Sequence, residues 1–167
     1  MNQKVFSRWH AVLALGIGAT LSLSAPAHDF RAGDVRIGHP YATPSVAGAS
    51  SGAAYIATLE NTGSRPDRLL RASTPVAGHV EMHTMSVDAS GVMRMRMLDD
   101  VAVVPDQPIK MRPGQGMHFM LTELKQALTE GQTFPMTMEF ERGGKVEVKV
   151  VVQVPRVRPD EASARTH

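Results

Sequence analysis

The chain contains no cysteine among its 167 residues. This absence excludes a disulfide framework, a thiolate metal ligand and a cysteine nucleophile. It also excludes a blue-copper electron carrier, because the metal site of such a protein requires a cysteine thiolate. Neither a nucleophile–base pair nor a His-Glu-x-x-His sequence is present to suggest hydrolysis.

Long hydrophobic runs are also scarce. The apolar stretch from Ala11 to Leu23 is shorter than the roughly 20 residues that a membrane span needs. It follows a basic start and precedes the small-residue sequence Ala25-Pro26-Ala27. This arrangement predicts a secretory signal peptide over residues 1–27, with His28 as the first residue of the exported chain. No later run predicts a transmembrane segment.

The predicted exported chain also lacks an excess of charge of one sign. Removing residues 1–27 removes Lys4 and Arg8, two of the 18 basic residues, and none of the 16 acidic ones. The remaining chain is formally neutral, so we expect no nucleic-acid partner.

Helical periodicity is almost absent, and a period of two residues takes its place. Every second residue from Val146 to Val154 is valine, and apolar side chains alternate in the same way from Phe134 to Phe140. Arg142-Gly143-Gly144 supplies a turn between these two strands. Only 123–128 has a weak helical pattern, of about one turn. Further predicted strands are 34–38, 53–60, 68–72, 80–87, 92–98, 107–111 and 117–122.

Many short strands with scarcely any helix predict an all-β antiparallel sandwich or barrel. This domain is expected to span residues 28–155. The remaining segment, 156–167, is charged and has no apolar period, so we expect it to be disordered.

Methionine is what the chain has in abundance. Eight of its eleven methionines lie between Met82 and Met120, together with His83 and His118. Thioether sulfur is soft and uncharged, so methionine combined with imidazole suits Cu(I) better than zinc, calcium or magnesium. A methionine also commonly fills a gap in a hydrophobic core. The strand face on which each one lies therefore decides between the two roles.

Strand alternation divides the methionines. Those that alternate in phase with apolar neighbours are predicted to be core residues: Met82, Met111, Met117, Met136 and Met138. His83 and Met85 lie on the opposite face of one strand, and His118 and Met120 on the opposite face of another. The roles of Met85, Met93 and Met97 stay open between an exposed soft surface and packing under a loop.

A hairpin is predicted to join two of the methionine-bearing strands. If Asp88-Ala89-Ser90 is its loop and Gly91 has a left-handed backbone, then Val87 lies opposite Gly91. In that register Met85 faces Met93, and His83 faces Met95. Opposed side chains have Cβ atoms about 4.5–5.5 Å apart, close enough for an imidazole and a thioether to share one ion. The pattern alone leaves a methionine-rich core as an open alternative.

These residues resemble the periplasmic PCuAC copper chaperones. The similarity is carried by Val80–His83, Gly91–Arg96, Lys110–Gly114 and His118–Leu121, and it extends to 38–42, 54–55, 59–61 and 131–140. The family motif is a histidine, an optional methionine, ten residues, a methionine, twenty-one residues and then His-x-Met. Here twenty-two residues separate Met95 from His118. We expect the extra residue in a loop or bulge within 98–104.

The resemblance implies a cupredoxin-like antiparallel Greek-key β-sandwich or barrel that is not an enzyme. It makes His83, Met95, His118 and Met120 the ligands of a Cu(I) ion carried in the periplasm. The copper would go to a subunit of a respiratory oxidase or to another copper chaperone. Candidate accessory metal-binding residues are Met85, Met93 and His28.

Two other functions stay open from the sequence. The first is a copper-dependent redox enzyme, because an amino-terminal His28 offers an α-amine and an imidazole as a Cu(II) chelate. The second is a metal-free β-sandwich module for interaction with other proteins.

Overall fold

The computed structural model describes residues 29–155, which form ten β-strands. The strands are β1 (Asp29–Ala32), β2 (Val35–Ala42), β3 (Ser51–Asn61), β4 (Asp67–Ser73), β5 (His79–Val87), β6 (Met93–Leu98), β7 (Val101–Val103), β8 (Gly116–Thr122), β9 (Thr133–Phe140) and β10 (Gly144–Val152). Residues 29–155 contain no helix, and the all-β prediction is confirmed. It follows that no helix long and apolar enough to cross a membrane occurs in this range. The predicted signal peptide, His28 and the predicted disordered tail lie outside the described residues.

The strands form one sheet in the order β6-β5-β8-β3-β2-β10-β9-β4-β7, with β1 added to β2. All pairs are antiparallel except β10 with β2. Although β4 and β5 stand far apart in this order, they contact each other. The sheet therefore curls into a nearly closed, barrel-like shape whose interior is the hydrophobic core.

The interior contains all five methionines that alternation assigns to the core. Met111, Met136 and Met138 are fully buried, and Met82 and Met117 are nearly so. The valine strand follows its predicted alternation through Val152, which is buried. Val154 lies beyond the end of β10 and is exposed, because the strand ends two residues before it.

Two predicted elements are wrong. The segment 123–128 contains no helical turn, and the amide of Leu128, which would close a turn on Leu124, donates to the Ser45 hydroxyl instead. The segment 107–111 is not a strand. Ile109 makes only an isolated bridge with Leu59, and the segment carries a proline that cannot donate to a β-ladder. Strands β1 and β7, of four and three residues, were not predicted.

Candidate metal centre

Four polar and thioether side chains lie together on the outer face of the sheet, where β5 pairs with β8. His83 is directly opposite His118, and Glu81 is directly opposite Met120. Paired residues share a face of the sheet, so these four side chains form a compact block. The ring centroids of His83 and His118 are 5.9 Å apart, and the ring planes meet at 69°.

The hairpin between β5 and β6 brings a third strand to this block, in a register that differs from the predicted one. Met93 lies opposite Val87, Met95 opposite Met85, and Met97 opposite His83. The predicted pairing of His83 with Met95 is therefore wrong by two residues. Since side chains alternate with a period of two, the shift leaves all three β6 methionines on the predicted face.

The hairpin loop explains the shift. The amide of Asp88 donates to the carbonyl of Val92 at 3.0 Å, so the loop consists of the three residues 89–91 rather than 88–90. Gly91 has a φ of +81° and is the last loop residue, not the first residue of the next strand. The Asp88 carboxylate accepts bonds from the amides of Ser90 and Val92 and holds the loop in this form.

Met95 nevertheless reaches His83. Its Sδ atom lies 2.9 Å from His83 Nδ1, a contact made diagonally across the strand pair. In the tautomer that carries its hydrogen on Nε2, Nδ1 presents a lone pair toward the sulfur, and the two atoms can then bind one cation together. The predicted association of His83 with Met95 is thus present, although the predicted register is not.

His118 is the most enclosed member of the group. It is 5% exposed, and burial lowers the pKa of its imidazole. The nearby His83 lowers the pKa further, whereas a hydrogen bond with the Gly116 backbone raises it. The ring of Tyr55 packs beside it at a centroid distance of 6.2 Å. The net effect favours the neutral imidazole, which is the form that binds a metal ion.

The His83 side chain is also held in place, by burial and by a contact with Glu81. It is 13% exposed, and its Nε2 lies 2.9 Å from Glu81 Oε2. Met120 is half-buried and stands between Glu81 on β5 and Ala53 on β3. The structure thus places His83, His118 and Met120 on two paired strands and adds Met95 from the third.

The remaining methionines of this face are accessible. Met93 is 57% exposed and Met97 is 65% exposed, so neither packs under a loop. Met85 is half-buried between Met95 and Gly116. The outer face of the hairpin is therefore a soft thioether surface beside the two histidines.

A row of aromatic rings extends from the histidines and was not predicted. Tyr55 stacks on Tyr41 at a centroid distance of 5.1 Å, and Tyr41 stacks on His39 at 5.6 Å. Sequence alternation placed Tyr55 on a strand and left Tyr41 outside one, and it gave no sign that the rings align across neighbouring strands. His39 lies within β2, with a φ of +49°.

The donor set restricts the metal. Within residues 29–155, no group of three or more histidine, aspartate or glutamate side chains could hold an ion. The donors that this face does bring together are imidazole nitrogen and thioether sulfur, which are softer ligands than the oxygen atoms that calcium and magnesium prefer. Two imidazoles with one or two thioethers are a donor set that fits Cu(I).

Comparison with known proteins agrees with this chemistry. A family described as LpqE-like matches residues 35–152. The copper-bound PCuAC domain from PmoF2 is 26% identical, with a TM-score of 0.65, over 77% of this chain and 99% of that domain. The apo PCuAC domain from PmoF1 is 25% identical, with a TM-score of 0.65, over 77% and 100%.

Another similar structure is that of Cu(I)-bound DR1885 from Deinococcus radiodurans. It is 26% identical, with a TM-score of 0.54, over 70% of this chain and 78% of that one. No functionally curated protein matches the sequence. Members of the PCuAC family are copper chaperones and not enzymes, in agreement with the sequence-based expectation. The chain belongs to the LpqE-like family, and its fold is that of the PCuAC copper chaperone domains.

Proposed function

We propose that this protein is a periplasmic metallochaperone that carries one Cu(I) ion on the outer face of β5, β6 and β8. The ligands are His83, Met95, His118 and Met120. The observation that carries the proposal is the convergence of His83 Nδ1 and Met95 Sδ, 2.9 Å apart, beside the buried imidazole of His118. The copper-bound state of two similar structures supports it.

The neutral donors explain the preference for Cu(I). Thioethers are soft ligands that bind Cu(I) more strongly than Cu(II), and the set contains no thiolate that would hold the ion too firmly for release. A chaperone needs such a balance, because it must retain copper during transport and then give it up.

The exposure of Met95 indicates which ligand a recipient protein replaces first when Cu(I) is transferred. Met95 is 48% exposed on β6, whereas His118 is buried. An incoming ligand from the recipient can therefore replace Met95 first, while His83 and His118 still hold the ion. The neighbouring Met93 and Met97 provide a flexible apolar surface against which the recipient packs. We propose a respiratory oxidase subunit, or another copper chaperone, as that recipient.

Location outside the cytoplasm is consistent with a lipoprotein family and with the predicted signal peptide over residues 1–27. Amino-terminal sequencing of the protein recovered from the periplasm tests this part. A chain that begins at His28 is the expected result, and an uncleaved chain retained in the cytoplasm contradicts it.

The ligand assignment is tested by Cu(I) titration against a competing chelator. The variants are His83→Ala, Met95→Leu, His118→Ala and Met120→Leu, with Met93→Leu as the matched exposed control. Each ligand variant is expected to lower the affinity at least about tenfold, which equals 1.4 kcal/mol. Met93→Leu is expected to bind as the unsubstituted protein does. Unchanged affinity in all four ligand variants would show that the assignment is wrong.

A further inference from the structure

Glu81 contacts His83, a proposed copper ligand, but is not itself one of the four proposed ligands. Its Oε2 lies 2.9 Å from His83 Nε2, while the other ring nitrogen of His83 points at Met95. The two nitrogens of this imidazole thus face groups of different chemistry, a carboxylate on one side and a thioether on the other.

The carboxylate determines which nitrogen carries the proton. An ionised carboxylate only accepts hydrogen bonds, so the Nε2–H of His83 donates to Glu81. In the neutral imidazole the lone pair is then on Nδ1, directed toward Met95 Sδ. The opposite tautomer would place a lone pair of Nε2 against a carboxylate oxygen, which is repulsive.

We propose that Glu81 is a positioning residue that fixes His83 in the tautomer whose Nδ1 binds copper. This inference rests on the proposed function and adds the identity of the binding nitrogen. A histidine that binds a metal commonly donates its second N–H to a carboxylate, which orients the ring and strengthens the metal bond. The carboxylate also contributes a negative charge next to the cation.

The position of Glu81 on the strand suits this role. Glu81 and His83 are two residues apart on β5, so their side chains lie on the same face. The carboxylate is 38% exposed, whereas the imidazole is 13% exposed. Glu81 can therefore hold Nε2 of His83 without displacing Met120, which is paired with Glu81 across β5 and β8.

The first experiment measures the tautomer without metal. Nitrogen-15 NMR of the metal-free protein at about pH 8, where an ordinary imidazole is neutral, is expected to show His83 protonated on Nε2. In Glu81→Ala the two tautomers are expected to mix. Glu81→Gln keeps an acceptor oxygen without the charge and is expected to retain the Nε2–H tautomer. An Nδ1–H tautomer in the unsubstituted protein would overturn the proposal.

The second experiment adds Cu(I). The Nδ1 resonance of His83 is expected to shift on binding, and Glu81→Ala is expected to lose about 10- to 100-fold in Cu(I) affinity. Glu123→Ala is the matched control, because Glu123 stands 3.8 Å from the exposed His79 in a similar pair. Equal affinity and an equal tautomer in Glu81→Ala and the unsubstituted protein would refute the role of Glu81.

The two proposals fail in different ways. If the unsubstituted protein does not bind Cu(I), the proposed function fails, and the metal-free spectrum still decides the tautomer. If Cu(I) binds and only the Nε2 resonance shifts, the function stands and the positioning role of Glu81 is wrong. Thermal unfolding of Glu81→Ala checks that a lower affinity does not arise from a misfolded hairpin.

Discussion

Met95 Sδ lies 2.9 Å from His83 Nδ1 although the residue directly opposite His83 on β6 is Met97. The contact is diagonal, and it selects one of two neighbouring methionines on the same exposed face. A contact between directly paired residues would instead have joined His83 to Met97.

This geometry predicts different effects for two similar substitutions. Met95→Leu removes the sulfur that faces His83 and is expected to weaken Cu(I) binding at least about tenfold. Met97→Leu is expected to leave the affinity within about twofold, because its side chain is 65% exposed and it is the sulfur of Met95 that lies against Nδ1 of His83. Competition titration of both variants measures the difference. A larger loss in Met97→Leu would indicate that the pair in direct register holds the ion.

The turn that sets this register is predicted to affect copper indirectly. Asp88 accepts hydrogen bonds from Ser90 and Val92, and these bonds, with Arg94, lower the pKa of its carboxyl. Asp88→Ala is expected to increase amide exchange at Ser90 and Val92, whose amides donate to the carboxylate, and to weaken Cu(I) binding less than Met95→Leu does. Asp88→Asn keeps an acceptor oxygen and serves as the control. Unchanged exchange in Asp88→Ala would mean that the side chain does not hold the loop.

The buried His118 predicts a pH dependence of stability in the metal-free protein. Burial lowers the pKa of His118 in the folded state below its unfolded value of about 6.5, so the unfolded state binds the proton first. Stability is therefore expected to fall as the pH drops through about 6.5 and to level off below the folded pKa. Urea unfolding across this range, with His118→Gln for comparison, measures it. Equal pH profiles for the two proteins would contradict the prediction.

Met111 is predicted to contribute a buried hydrogen bond in addition to packing. Its Sδ accepts from the Ile56 amide at 3.4 Å. Met111→Leu leaves that amide without its acceptor, which costs about 1–3 kcal/mol. Met136→Leu, at an equally buried position, is expected to cost less than about 1.5 kcal/mol. Chemical denaturation measures both. Cu(I) affinity is expected to be unchanged in each, since neither residue faces the site.

The strand alternation explains why so much of the fold was predictable. A period of two assigns each residue to a face without knowledge of the partner strand, so the burial of Met136 and Met138 followed from their neighbours alone. The same argument placed His83 and Met95 on outer faces. It could not anticipate the backbone hydrogen bonds from Met111 to Ile56 and from Leu124 to Ser50, which hold 107–111 and 123–128 as irregular segments.

The register and the contacts across strands needed the structure. Moving the loop by one residue, from 88–90 to 89–91, changes the partner of every residue in the hairpin. The sequence Asp88-Ala89-Ser90-Gly91 is compatible with either loop. Neither the contact between Glu81 and His83 nor the packing of the Tyr55 ring beside His118 has a signal in a single sequence. Both depend on side-chain directions that the sheet's twist and curvature determine.

Because β6 lies at one end of the strand order, its local stability differs from the global stability of the domain. Every residue of this strand except Leu98 is exposed, whereas His118 sits on a strand paired on both sides. An exposed terminal strand opens locally at a lower free energy than the whole domain does. Met95 can therefore detach together with its strand while β5 and β8 remain folded. With the proposed ligand set, the lifetime of bound copper is then determined by the detachment of β6, and substitutions in the core can change the melting temperature without changing that lifetime.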